Sequence, residues 1–298
     1  MQFAYSLSSS SITNIILKGD KPLVTSCGVK TCDTNWSKVP GNSSFLVNDF
    51  CLMTYEARVI GGVAVSTANG TGPNTTITQA TASALCSSLG AGYHLIRDRE
   101  WVVAANNVAS VAANWNSSVV GVGSLKQGNN GRDTGVSYNA AVDPDNLTSN
   151  STAQLFLSNG ESVWHFSGNV AEWTDGGVFE DKTGTGSNSA DSAGITGGQL
   201  PTNGTLLDGA WLEYVNITNF NAVNYSRLPN ASWNSTQGVG QIYINPGYAF
   251  NASGYVATTH AFRRGGAWGD AAGAGVWGLF TLGAPSLTYF ALGFRCAR

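Results

Sequence analysis

The sequence is short of charge: Lys, Arg, Asp and Glu together make up 11% of its 298 residues, and the formal net charge is -3. A nucleic-acid partner normally needs a basic stripe, so none is expected. Apolar runs the length of a membrane span are also missing, and no span is expected. The opening stretch MQFAYSLSSSSITNIILKGD has neither a basic n-region nor a long apolar h-region, so no conventional signal peptide is expected. Histidine is scarce, and His94, His165 and His260 stand alone. A zinc site needs a second ligand pair at close spacing, which the chain does not offer. Neither a Ser-His-Asp spacing nor a Gly-rich phosphate loop after a strand stands out, and no internal repeat is visible.

What is abundant points to a folded, loop-rich protein. The 37 glycines, with many Asn, Ser and Thr, predict many turns and few long helices. Nine Trp and ten Tyr exclude a disordered chain. The length allows a large core in one or two domains. There are five cysteines, Cys27, Cys32, Cys51, Cys86 and Cys296, an odd number, so at least one is free or pairs outside the chain. Cys27 and Cys32, in SCGVKTC, could close a small loop. Asn-x-Ser/Thr acceptors recur from Asn35 to Asn251, at roughly twice the chance rate for this composition. They read as a polar, loop-rich surface; the alternative is a glycosylated protein outside the cell.

Residues 1–44 read as a strand-bearing N-terminal extension around SITNIIL. Residues 45–66 read as two strands meeting at Gly61-Gly62, with Met53, Tyr55 and Ala57 alternating against Thr54, Glu56 and Arg58. Residues 75–90 predict a helix capped by Thr76 or Thr78 and ended by Gly90, with Ala82, Leu85, Cys86 and Leu89 on one face. Residues 97–110 predict a second helix that buries Trp101, Ala104, Ala105 and Val108, with Asp98 favourably placed at its start. WHFSGNVAEWTDG, residues 164–176, reads as strands around a Gly168-Asn169 turn; WLEYV (211–215) and QIYI (241–244) read as short strands among long irregular tracts.

The last stretch, RRGGAWGDAAGAGVWGLFTLGAPSLTYFALGFRCAR, sets Phe280, Leu287, Tyr289 and Phe290 among Gly, Ala, Ser and Thr. A core strand alternates or runs continuously apolar, and only Ala291 to Cys296 look like a buried strand. Leu287 to Phe290 read as a bulky, adaptable surface.

Four segments, LGAGYHLIRDREW (89–101), LSNGESVWHFSGNVAEWTDG (157–176), RGGAWGD (264–270) and LGFRCAR (292–298), stand in an order that resembles the formylglycine-generating-enzyme type of C-type lectin fold. The resemblance covers residues 45–298. It implies an α+β domain with two helices, small antiparallel sheets and long loop inserts. Within that superfamily, the C-terminus is similar to the variable proteins of diversity-generating retroelements. In these, a fixed RGG-x-W…GFRCAR frame holds scattered positions that are rewritten at template adenines, often in Asn codons. The frame here would be Arg264, Gly265, Gly266, Trp268, Gly293, Phe294, Arg295 and Cys296. The candidate variable positions hold Ala267, Gly269, Asp270, Gly273, Phe280, Leu282, Gly283, Leu287, Thr288, Tyr289, Phe290 and Ala291. An Asn codon randomised at its first two bases cannot yield Lys, Glu, Gln, Met or Trp, and none of these stands at those positions; Trp268 and Trp277 then belong to the frame. Tyr and Phe suit a binding surface because they offer large contact area at low conformational-entropy cost.

The resemblance also bears on catalysis. Enzymes of the superfamily use a C-x4-C pair with copper after the two glycines; the matching positions here are Asp270 and Gly275, which cannot bind soft copper(I) or form a redox pair. No enzyme activity and no cofactor are therefore expected. His94 and His165 read as structural histidines, and Glu100 and Glu172 as scaffold carboxylates that hydrogen-bond buried backbone or Arg295. The calcium-dependent sugar-lectin set is missing; Asp143-Pro144-Asp145 is the nearest fragment, and loop carboxylates leave room for a structural calcium. The family brings the first helix and last strand together, which implies that Cys86 and Cys296 are adjacent and bonded in an oxidising compartment. The function implied is binding of a variable protein ligand or a cell-surface ligand by a protein of a virion tail tip or a cell surface. Two alternatives are an oxidase relative with an altered site and an invariant virion or surface-layer protein.

Overall fold

The computed structural model describes residues 31–68, 72–128, 153–180, 187–188, 210–214, 228–244 and 258–298. The SITNIIL strand expectation, Cys27 and the Asp143–Asp145 fragment lie outside these residues. A single compact unit takes in Thr31–Arg298. In chain order its elements are β1 (Trp36–Val39), β2 (Phe50–Met53), β3 (Ala57–Ile60), β4 (Val63–Ser66), α1 (Gln79–Ser87), β5 (His94–Leu95), α2 (Asp98–Ala109), β6 (Gln154–Phe156), β7 (Ser162–Trp164), β8 (Ala171–Glu180), β9 (Ser187–Asn188), β10 (Ala210–Leu212), β11 (Ile242–Ile244), β12 (Thr258–Arg264), β13 (Leu279–Gly283), β14 (Leu292–Phe294) and β15 (Cys296–Ala297). The class is α+β, with two α-helices among the described residues.

One sheet has the order β1-β2-β15-β5; the larger has β10-β11-β13-β12-β8-β14, with β9 on β8; β3-β4 and β6-β7 are separate hairpins. The expectation of antiparallel sheets is corrected for the larger one, which is mixed: β11 runs parallel to β13, and β14 parallel to β8. Parallel neighbours require a crossover connection. β14 reaches β8 only after the chain has passed through β12 and β13.

Local sequence explains the helices. Thr78 accepts from the backbone N–H of Thr81 at 3.1 Å and starts α1. Ala82 and Cys86 are buried, and Leu85 and Leu89 pack against the same cluster. At the start of α2, Glu100 reaches back to the Arg97 N–H at 3.0 Å. Trp101, Ala104, Ala105 and Val108 are buried on its apolar face. Asp98 does more than favour the helix dipole: it is buried and receives the Arg264 guanidinium at 2.7 and 2.9 Å, tying α2 to β12. Glu172 in β8 receives Arg295 in the same two-pronged way, at 2.8 and 2.7 Å. A disulfide joins Cys86 of α1 to Cys296 of β15. Cys32 does not close a loop with Cys27; it bonds Cys51, whose Cα lies 5.5 Å away, and so staples the chain before β1 to β2.

Two other expectations change. The run from residue 45 to 66 holds three strands, because the chain bends at 54–56 between β2 and β3. Glu56 is fully buried there and accepts from the side chain of Asn169 and, at 3.3 Å, from the Val170 N–H. Gly168 and Asn169 do turn the chain, both with positive φ, but β7 pairs with β6 and β8 with β12, so the turn links two sheets and closes no hairpin.

His94 carries a pH prediction. Its Nδ1 lies 2.9 Å from the Gly92 carbonyl, and its Nε2 lies 2.8 Å from Glu100 Oε2. Both partners are acceptors, so only the imidazolium, which donates from both nitrogens, satisfies them. Burial pulls the imidazole pKa down, but the Glu100 hydrogen bond and charge outweigh it, and the net shift is upward from 6.5. A folded pKa raised above the unfolded one gives stability that is complete below the unfolded value and lost as pH rises through the folded value. The Tm is expected to fall as pH is raised past 6.5, and His94→Gln to flatten that slope; parallel slopes for both proteins in a thermal-melt series would remove His94 from the account.

Candidate functional site

The register of the larger sheet places Arg263 of β12 opposite Trp173 of β8 and opposite Phe280 of β13. The three side chains meet: the Arg263 guanidinium lies 3.6 Å from the Phe280 ring centre and 5.9 Å from that of Trp173. On its other face, Phe280 stacks on Tyr243 of β11 at 4.3 Å and 4°. Trp211 of β10 meets both rings edge-on, at 5.3 and 6.1 Å. Beside this stack lies a cavity of about 230 Å³. Its lining includes Trp211, Arg263, Asp270, Phe280, Leu287 and Tyr289, with Ala267 and Ala291 beside them.

Several candidate variable positions thus share one cavity, although they come from the loop after β12, from β13 and from the loop before β14. Leu287, Tyr289 and Phe290 are 37%, 46% and 49% exposed, which removes them from the core. The ring centres of Tyr289 and Phe290 lie 4.3 Å apart, and those of Phe290 and Trp268 6.2 Å apart. Gly269 and Thr288 are exposed, and Asp270 and Phe280 partly buried. Ala267, Gly273, Gly283 and Ala291 are buried. Leu282 lies in β13, with its side chain outside the described residues. Gly273 lies under the Trp211 indole, which a Cβ there would meet at 2.5 Å.

The backbone under the exposed side chains is pinned. The carbonyls of Pro285, Tyr289 and Ala291 accept from the N–H groups of Gln79, Thr76 and Ala171 at 3.1, 3.0 and 3.0 Å. The loop's path therefore rests on main-chain bonds to the start of α1 and to β8, which a change of side chain in the loop leaves in place. The proposed frame residues lie beneath: Arg264, Gly265, Gly266, Gly293, Phe294, Arg295 and Cys296 are buried, and Trp268 partly so. Gly266 has φ +72°, and a Cβ there would fall 2.5 Å from the Ala274 Cα. Gly266→Ala is expected to cost roughly 2 kcal/mol or more, combining left-handed strain with a backbone clash; a chemical-denaturation midpoint equal to the parent's would refute it.

The cavity holds two ionisable groups. Burial pushes the Arg263 pKa down to about 10, with Asp270 partly opposing the fall, so Arg263 stays charged at neutral pH. Burial pushes Asp270 up, opposed by the Ala267 N–H, which its Oδ2 accepts at 2.7 Å, and by Arg263. Glu172 accepts from Arg295, while Glu100 accepts from the Arg97 backbone and lies within hydrogen-bond distance of His94. Among the described residues no group of three or more His, Cys, Asp or Glu is placed to hold a metal ion, and no helix is long and apolar enough to cross a membrane. Arg263, Trp211 and Tyr243 escape a reading of the sequence, because the sheet order that assembles them is not periodic in the chain. The pair Arg263-Arg264 was the available signal: adjacent strand residues face opposite sides, so two arginines in a row cannot both enter one ion-pair network.

No protein-family model matches the chain, and no curated protein matches it.

Proposed function

We propose that the protein is a non-catalytic ligand- or receptor-binding protein of the C-type lectin fold, formylglycine-generating-enzyme type, with a C-terminal surface diversified by a retroelement. The observation that carries this reading is the division of labour in residues 284–291. Bulky side chains at 287, 289 and 290 are exposed, while the backbone beneath them is hydrogen-bonded to α1 and β8. Such a surface can exchange side chains without losing its frame. The cavity lined by Asp270, Phe280, Leu287 and Tyr289 gives the changing positions a common target. The carrier would be a virion tail tip or a cell-surface protein; two disulfides favour an oxidising compartment.

A display library randomised at Gly269, Leu287, Thr288, Tyr289 and Phe290, all exposed, panned against unrelated proteins, tests the reading. Distinct clones are expected for distinct targets, each melting cooperatively, since exposed substitutions away from special features usually cost within about 0.5 kcal/mol. A library whose members mostly lose the cooperative transition would contradict the proposal.

A further inference from the structure

Arg263 is the cation this cavity leaves over. Arg264 and Arg295 each have a buried carboxylate, whereas among the described residues Arg263 forms no ion pair and its buried Nε has no hydrogen-bond partner. A guanidinium has five N–H donors in a planar fork. Stacking on Phe280 and lying near Trp173 occupies its faces and leaves the fork's edge for a planar acceptor. Burying a charge without such an acceptor is costly. Gly283 leaves room for the Arg263 side chain, because a Cβ there would come within 3.2 Å of its Nε.

From this geometry we infer that Arg263 is the anchor of the binding surface and receives a carboxylate, the Asp or Glu side chain of a protein ligand. The inference rests on reading this face as the binding surface. Three features favour an inserted side chain. The volume, about 230 Å³, is below the roughly 300–1,000 Å³ of small-molecule sites. The walls include Trp211, Tyr289 and Leu287, and aromatic residues with arginine are the usual anchors of protein interfaces. The carboxylate matches the fork in charge and in two-pronged shape. Asp270, which also lines the cavity, opposes the incoming charge, with its Oδ2 held by the Ala267 N–H. Arg263 lies outside the positions expected to vary, whereas Asp270, Phe280 and Gly283 beside it are among them, so a constant cation would be tuned by changing neighbours.

The test is an NMR titration of the full chain, following the Arg263 Nε–H signal, assigned with Arg263→Lys. Three probes are compared: N-acetyl-glutamate methylamide, its glutamine counterpart, and N-acetylneuraminic acid. The glutamyl probe is expected to shift the signal saturably with a Kd of about 1–10 mM, and the neutral counterpart to bind at least about tenfold more weakly. Followed through the backbone amides of Asp270 and Tyr289, which the variants retain, Arg263→Gln should abolish the response and Arg263→Lys weaken it. Asp270→Asn should tighten binding by about threefold or more at low salt. No shift of the wild-type signal, equal shifts with the glutamine probe, or tighter binding of the sugar acid would overturn the inference. Arg263→Gln could unfold the strand, but the wild-type titration does not depend on that variant. Carboxylate binding and codon diversification are read by separate experiments, so either can fail alone.

Discussion

Arg295→Met is expected to destabilise the protein by about 3–5 kcal/mol, the cost of removing one partner from a buried ion pair. Arg295 and Glu172 are both fully buried. The guanidinium bonds both Glu172 oxygens, and donates to the carbonyls of Met53 at 3.1 Å, Thr54 at 3.3 Å and Trp164 at 3.0 Å. One side chain thus joins β8, the end of β2 and the end of β7. Its loss leaves a buried carboxylate without its two donors and takes one donor from each of three carbonyls, of which Thr54 keeps the Trp164 N–H at 2.8 Å. Adding Glu172→Met should restore part of the loss, since an apolar pair removes the orphaned charge. Denaturant unfolding checks both. A loss under about 1 kcal/mol for the single variant, or a double variant worse than the sum of the singles, would show that the pair does not hold the sheets together.

Cys86→Ala with Cys296→Ala is expected to cost about 2–5 kcal/mol, toward the upper end because loop-closure entropy grows with loop length. The bridge spans a sequence separation of 210 and links α1 to β15. The double variant should also unfold with a larger m-value, because the bridge no longer restricts the denatured chain. The measurement is a pair of denaturation curves with Cys32–Cys51 intact in both. Equal midpoints would mean that α1 is held by packing alone.

Both helices were legible because their signals are local. Thr78 caps α1, Ala82 and Cys86 recur one turn apart, and Trp101, Ala104, Ala105 and Val108 mark the buried face of α2. The exposed cluster at Leu287, Tyr289 and Phe290 was legible by contrast, as bulky residues in a tract with no core period. What escaped depends on distant pairing. Glu56 alternates with apolar residues and so reads as solvent-facing, yet it is buried because Asn169 and Val170, more than a hundred residues away, supply its donors. The cavity walls Trp211 and Arg263, and Tyr243 behind Phe280, meet only because β10, β11, β13 and β12 are neighbours in that order. Hydrophobic period specifies which face of a strand is buried and is silent on which strand lies beside it.

The most direct measurement of the central claim is deep sequencing of the gene and its flanks in the source population. Substitutions are expected only in codons within 267–291, with those for Arg264, Gly265, Gly266 and Arg295 constant. A nearby adenine-bearing copy of the segment and a reverse-transcriptase gene are expected with them. A uniform 3′ end with no such copy would contradict the diversified-binder reading.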